Sequence, residues 1–321
     1  LLAGGIMSHR LAVTDLVVTV PNGPAILDGV TLGVGPAEIL GIVGESGSGK
    51  TTLVRAIFGL VTPSAGRIEI DGMALPDFTR HSYRRLRRSA ALVFQNPAGS
   101  FNPRLTIGSA LTEAIGSRRT ETAAPAGPEL MRSVGLDPAL LKRYPGELSG
   151  GQARRAAVAR ALASRPRVIV ADEPTAGLDV SAQGEILNLL LDLRDLQGIS
   201  LVFVTHNLAL VRRVTDRIAV MYLGRIVEAG PTGAVAAAPS HPYTRALIEA
   251  EPMPDPDRRR TGGPIDGEVP SLFHRPAGCE FHPRCPLAAA PCRTEKPPSH
   301  RPGQRHVLCH MPLALAAETA P

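Results

Sequence analysis

Eight consecutive residues, Gly44-Glu45-Ser46-Gly47-Ser48-Gly49-Lys50-Thr51, place glycines, a lysine and a hydroxyl in the spacing G-x-x-x-x-G-K-[ST]. Glycine at 44, 47 and 49 lets a backbone wrap an anion that side chains would hold off. Lys50 can reach the terminal phosphates of a nucleotide. Thr51, followed by Thr52, can offer a hydroxyl to Mg²⁺, and a helix starting there would point its positive end at the anion. Asp172 and Glu173 close an apolar run much later in the chain. An Asp at the end of such a strand suits Mg²⁺ coordination, and the adjacent Glu is placed to polarise an attacking water as general base. The bland readings are a glycine-rich turn with an incidental lysine and a strand-end ion pair. Together the two segments favour hydrolysis of a nucleoside triphosphate.

A second group could bind metal. Cys279, Cys285, Cys292 and Cys309 all lie near the end of the chain, with five, six and sixteen residues between successive members. Four thiolates can hold Zn²⁺ or a [4Fe–4S] cluster. Structural zinc sites favour close pairs, which this spacing lacks; His282, His306 or His310 could substitute as ligands. The prolines around Cys285 suit loops wrapped about a bulky cluster. Free thiols are the remaining reading, and structural disulfides are not expected in a reducing compartment.

The elements that must position these groups can be read from pattern. Residues 10–20 and 26–34 read as strands separated by the turn Pro21-Asn22-Gly23-Pro24. Ile39–Val43 is a continuous apolar run, as for a strand buried on both faces. The glycine loop follows at once, and 51–60 reads as a helix, giving the strand–loop–helix context that the motif requires. Residues 66–72 suggest an edge strand, and Ala90–Phe94 another strand. From 96 to 164 the signal is helical, at 105–116, 129–134 and 152–164, with a loop at 125–128. Val168–Asp172 and Ser200–Thr205 are strands flanking a helix at 182–196. Leu208–Val214 is helical, and 217–222 with 225–228 form a hairpin about Gly224. Alternating strands and helices imply a parallel α/β sheet. The expected division is an ATPase domain at 8–250 with a helical subdomain at 96–164, a Pro/Gly-dense linker at 251–268, and a small irregular Cys/Pro-rich module at 269–312.

Composition narrows the function. Lys and Arg total 35 against 29 Asp and Glu, for a net charge of +6. This is either an Arg-rich surface or attraction to an anionic bilayer, for which Arg80, Arg84, Arg85, Arg87 and Arg88 form the densest cluster. Nucleic acid is not the expected partner, because no Trp and only 3% aromatics leave few stacking platforms. No run of 18 apolar residues could span a membrane. No secretory signal is expected at the N-terminus; Leu1–Ile6 reads as upstream sequence, with Met7 the natural start.

Leu148-Ser149-Gly150-Gly151-Gln152, downstream of the glycine loop, completes a resemblance to ABC ATPases. The resemblance implies a P-loop NTPase fold with an inserted helical subdomain. It also implies a dimer, since Ser149, Gly150, Gly151 and Gln152 would grip ATP held mainly by a partner ATPase. Gln95 would contact Mg²⁺ and the water, His206 the γ-phosphate, and the loop Ala176–Asp179 would cross between the two sites. ABC ATPases usually stack adenine on an aromatic residue in an early strand. The first aromatic residue here is Phe58, so an aliphatic platform, Val20, and modest ATP/GTP discrimination are expected.

His241-Pro242-Tyr243-Thr244-Arg245-Ala246-Leu247 and the segment 278–286 resemble the C-terminal region of importer ATPases for oligopeptides, dipeptides and nickel. Phe94-Gln95-Asn96-Pro97 and Phe101-Asn102-Pro103-Arg104 fit the same group. That resemblance implies an ATP-hydrolysing subunit at the cytoplasmic face of the membrane. Its partners would be a second ATPase, two permeases and an extracytoplasmic solute-binding protein. Asn102-Pro103-Arg104 and Asp179-Val180-Ser181 lean toward the second ATPase of such a pair. Similar cysteines in that group are associated with a [4Fe–4S] cluster. A soluble ABC protein acting on DNA or the ribosome is the competing class. Such proteins usually carry long insertions or two cassettes, and neither is present here.

Overall fold

A computed structural model describes residues 9–313, apart from 22, 76, 78, 117–125 and 251–266. The expected start at Met7, Pro125 and nearly all of the expected linker therefore lie outside the described residues.

Two sheets organise the chain. The smaller has the order β2-β1-β4-β5, from β1 (Leu11–Thr19), β2 (Ala25–Val34), β4 (Ala65–Ile70) and β5 (Met73–Ala74). Its paired strands are antiparallel. The expected edge strand at 66–72 is β4, which β5 flanks on its outer side. The larger sheet has the order β11-β12-β10-β9-β3-β8-β7-β6. It contains β3 (Ile39–Val43), β6 (Ala90–Val93), β7 (Val168–Asp172), β8 (Ser200–Thr205), β9 (Arg217–Tyr222), β10 (Arg225–Pro231), β11 (Ser299–His300) and β12 (His306–Leu308). From β6 to β9 every pairing is parallel. β9 and β10 form the expected hairpin, whose turn residues Leu223 and Gly224 both have positive φ (41° and 79°), the conformation that tight hairpin turns favour.

The apolar runs of β3, β7 and β8 are continuous because both faces are covered. Side chains alternate across a strand, so each run feeds two cores. Leu40, Ile42, Val168, Val170, Val202 and Val204 pack with α1 (Lys50–Ile57) and the smaller sheet. Ile39, Val43, Ile169, Ala171, Leu201 and Phe203 pack on the opposite side. That side carries α3 (Ile107–Gly116), α4 (Gly127–Ser133), α5 (Gly150–Leu162), α6 (Val180–Gln197) and α7 (Leu208–Val214). α4 begins at Gly127, inside the expected loop, because Pro128 in its first turn needs no N–H partner there. α2 (Arg80–Leu86) spans part of the arginine cluster; Arg87, just beyond it, donates through Nη2 to the Phe58 carbonyl after α1 (2.7 Å).

After β10 come α8 (Thr232–Ala237) and α9 (Pro242–Glu249). The segment 267–313 holds α10 (Ala290–Thr294), β11 and β12. Within this segment β12 pairs with β10 and extends the main sheet. A buried ion pair fastens it, with Arg305 Nη2 2.6 Å from Oε1 of Glu228, a residue with no solvent exposure.

Candidate nucleotide site and thiol pocket

The parallel strands end at one level: Val43 of β3 pairs with Thr205 of β8, and Asp172 of β7 with Val204. Ligands of open α/β sheets bind outside such carboxyl ends, and the loops carrying Lys50, Gln95, Glu173 and His206 leave from there. Residues 44–49 turn tightly between β3 and α1. A Cβ on Gly44 would stand 2.2 Å from the Met221 carbonyl, and Gly49 has φ 102° immediately before the helix. Only glycine fits either place. The Lys50 ammonium lies inside this curl. It donates to the carbonyls of Gly44 (2.6 Å) and Glu45 (2.8 Å) and to Ser48 Oγ (3.1 Å). Burial lowers its pKa, against the opposing pull of Glu173, Asp172 and Glu45.

Asp172 is buried at the end of β7. Desolvation, with Glu173 beside it, raises its pKa; Lys50, a hydrogen bond from Thr51 and Arg55 oppose the rise. Thr51, Gln95 and Asp172 line one cleft of about 430 Å³, with Thr52 half-buried alongside Thr51. One carboxylate, a hydroxyl and an amide suit Mg²⁺, which keeps water or phosphate oxygens for its remaining positions.

Glu173 has φ 45°, in the left-handed region that a non-glycine residue occupies only under constraint. Its N–H donates to the Val204 carbonyl (2.8 Å). Its carboxylate lies between Gln95 Nε2 at 2.8 Å and His206 Nδ1 at 2.8 Å. Three residues from separate strand ends thus meet on one carboxylate, while the His206 side chain stays 64% exposed.

Ser149 caps α5. Its Oγ accepts the Gln152 N–H (3.2 Å), and Gln152 Oε1 accepts the Ser149 N–H (3.0 Å). Ser149 and Gly150 are exposed, and Gly151 and Gln152 half-buried. Exposed Asp179 caps α6 through the Ala182 N–H (3.0 Å). Behind them is a residue that the sequence reading missed. Buried Arg154 donates to the Ala176 carbonyl (3.0 Å) and reaches the Gln95 carbonyl (3.4 Å), tying three loops together. Val20 is half-buried at the turn after β1, its carbonyl accepting the Gly23 N–H (2.9 Å).

The four cysteines converge. Cys279, Cys285, Cys292 and Cys309 line one narrow pocket with His282 and His310. All are unbridged thiols. Burial pushes Cys279 up to about 12 and Cys309 up to about 11, and raises Cys285 as well. His282 Nδ1 is engaged by the Cys279 carbonyl (2.9 Å), and His306 is not among the pocket residues. Among the described residues, no group of three or more His, Cys, Asp or Glu side chains is arranged to hold a metal ion. The donor set thus shares one pocket without showing ligating geometry.

Comparison with known proteins places this geometry in a family. The ABC transporter family model matches residues 27–176. The model for the oligopeptide/dipeptide transporter C-terminal region matches 227–292. A probable peptide ABC transporter ATP-binding protein of Sinorhizobium fredii is 47% identical over 91% of this chain and 84% of its own length. The di/tripeptide transport ATP-binding protein DppF of Pseudomonas aeruginosa is 44% identical over 88% of this chain and 89% of its own. Among solved structures, the ATP-binding cassette MJ0796 bound to ADP and Pi, a dimer in a post-hydrolysis state, is similar. It matches with a TM-score of 0.61 at 29% identity, over 69% of this chain and 98% of that one. The glycine loop, the paired acids at the end of β7, the Ser149 turn and these relatives have one common reading: the chain belongs to the ABC transporter ATPases of the oligopeptide/dipeptide family.

Proposed function

We propose that this protein is the ATP-hydrolysing subunit that powers import of di- or oligopeptides through a membrane permease pair. The observation that carries it is the junction of two features in one chain. A hydrolytic constellation of Lys50, Asp172, Glu173, Gln95 and His206 is built onto a C-terminal region of the oligopeptide/dipeptide type.

In this reading Gly44, Glu45, Ser46, Gly47, Ser48, Gly49, Lys50, Thr51 and Thr52 hold the phosphates. Thr51, Gln95 and Asp172 would hold Mg²⁺, which would supply positive charge to offset that of the phosphates. Glu173 takes a proton from the attacking water. Gln95 and His206, on either side, fix its carboxylate and meet the water and the γ-phosphate. Ser149, Gly150, Gly151 and Gln152, with Asp179 nearby, close on nucleotide held by a second ATPase subunit. Two permeases and an extracytoplasmic solute-binding protein complete the assembly at the cytoplasmic face of the membrane. The ATPase domain spans 8–250, with its helical subdomain at 96–164.

Cys279, Cys285, Cys292 and Cys309 are the candidate ligands of a [4Fe–4S] cluster, in a structural role. The support is the donor type and the shared pocket. Anaerobically purified protein should be brown, with about four irons per chain; colourless protein with one zinc would assign the pocket to zinc.

The transport reading is tested in proteoliposomes holding the complete complex. Turnover of ATP should rise when the binding protein carries a di- or tripeptide. Stimulation by Ni²⁺ and not by peptides would overturn the peptide assignment.

A further inference from the structure

The outer wall of the phosphate loop comes from the far end of the chain. Tyr243 of α9, fully buried, accepts the Glu45 backbone N–H at its hydroxyl (2.9 Å). Arg284, its side chain 4% exposed, grips the Glu45 carboxylate with two prongs. Nη1 lies 2.7 Å from Oε2 and Nη2 3.0 Å from Oε1. The bond to Glu45 raises the Arg284 pKa, so the cation is permanent. The Glu45 carbonyl in turn accepts from the Lys50 ammonium at 2.8 Å. Amide, carboxylate and carbonyl of one loop residue are all held, and the last of these contacts is the cation meant for the phosphates.

The holders are themselves rigid. Phe281 packs against Tyr222 and Tyr243 with ring centroids 5.4 Å apart in each case, and Tyr222 and Tyr243 lie 4.7 Å apart. Arg284 sits between Cys279 and Cys285 in sequence, on the turn His282–Arg284. The thiol pocket and the phosphate loop therefore share one aromatic block.

We propose that Arg284 and Tyr243 are positioning residues for nucleotide binding, which preset the loop around Lys50 from outside the nucleotide-binding fold. A loop already held in its binding shape loses less freedom when ATP arrives. Without the clamp, Glu45 is released and its carboxylate is left without its cation beside the phosphate site. The inference rests on residues 44–51 being the ATP phosphate site.

The test measures ATP Kd, KM and kcat on the full chain, in its ATPase assembly for turnover. The variants are Arg284→Gln, Glu45→Gln, their double, Tyr243→Phe, Arg284→Lys and, as reference, Lys50→Ala. The two Gln variants should each raise Kd and KM about fivefold to twentyfold, with the loss in KM rather than kcat, since a charge-assisted two-pronged contact is removed. The double should be no weaker than the worse single, because both remove one interaction. Arg284→Lys should recover part of the affinity, and Tyr243→Phe should lose affinity with its ring packing intact. Glu45 is only partly buried, so Glu45→Gln tests the idea even if Arg284→Gln does not fold. If Lys50→Ala loses ATP while Glu45→Gln and Tyr243→Phe bind like wild type, or if the Gln effects add independently, the positioning role is wrong. If Lys50→Ala binds ATP like wild type, the loop assignment itself fails.

Discussion

Glu173 combines three properties that rarely coincide by accident: a positive φ, a half-buried carboxylate, and two polar side-chain partners at 2.8 Å. Glu173→Gln keeps the shape and the partners but cannot take a proton. Turnover should fall by two orders of magnitude or more, roughly the reach of general-base catalysis, while ATP Kd stays near wild type. Single-turnover hydrolysis beside equilibrium binding separates the two effects, and near-normal turnover would remove the base assignment. Asp172 makes a different prediction. Its pKa is raised by burial, so the charged form is disfavoured in the folded chain relative to the unfolded one. The penalty is absent below the unfolded value, grows as pH rises toward the folded value, and is complete above it. Asp172→Asn should therefore melt higher than wild type at pH 7–8 without nucleotide, and lose Mg²⁺-dependent ATP binding. A melting temperature at or below wild type would show that the carboxylate is paired more strongly than its burial suggests. At this scale the sequence was informative where chemistry is local. The glycine loop is contiguous and Asp172-Glu173 ends an apolar run, so type and spacing were enough. Tyr243 and Arg284 reach Glu45 across 198 and 239 residues, and Arg154 is one of the arginines on α5, beside Arg155 and Arg160. No local pattern marks such contacts.

Strand by strand, legibility followed burial. β3, β7 and β8 declare themselves as unbroken apolar runs because both faces are covered, and β9–β10 because a turn with positive φ needs Gly224. β11 and β12, two and three residues long, carry no such signal, and the prolines and cysteines around them read as irregular. What holds β12 is tertiary: two backbone partners on β10 and the Arg305–Glu228 pair. Glu228 also accepts the N–H groups of Ser240 (2.8 Å) and His241 (2.9 Å). Arg305→Ala would strand this carboxylate in the interior. The expected cost is about 3–5 kcal/mol, as for other broken buried pairs, read from urea unfolding. A loss below about 1 kcal/mol would mean that water or another cation replaces the guanidinium, as at an exposed pair.

For the whole molecule, the decisive fact is that the Ser149 turn bonds to itself and stays open to solvent. On the proposed function, one chain would supply the Lys50 half of one site and the Ser149 half of another. Isolated monomer should bind ATP yet hydrolyse it slowly, with turnover per chain rising as concentration, the partner ATPase or the permeases bring two subunits together. Turnover in a demonstrated monomer that matches the assembled complex would contradict this division of the site. That division is implied by family resemblance alone, since nothing in residue spacing says that a turn will face another molecule.

β12 has one more consequence. Without it, β10 would be the outermost strand of the large sheet, with its N–H and C=O groups unmatched along that side. A bare strand of that length invites another chain to add on. The sheet ends instead on β11, two residues long, too short to template such growth. A chain cut after Glu249 keeps every residue of the nucleotide site and would look like a convenient minimal ATPase. It should instead self-associate, appearing as large species in light scattering within the concentration range where the full chain stays dispersed. Trimming the tail to simplify the enzyme should therefore yield aggregates, and a truncated chain that stays dispersed would overturn this expectation.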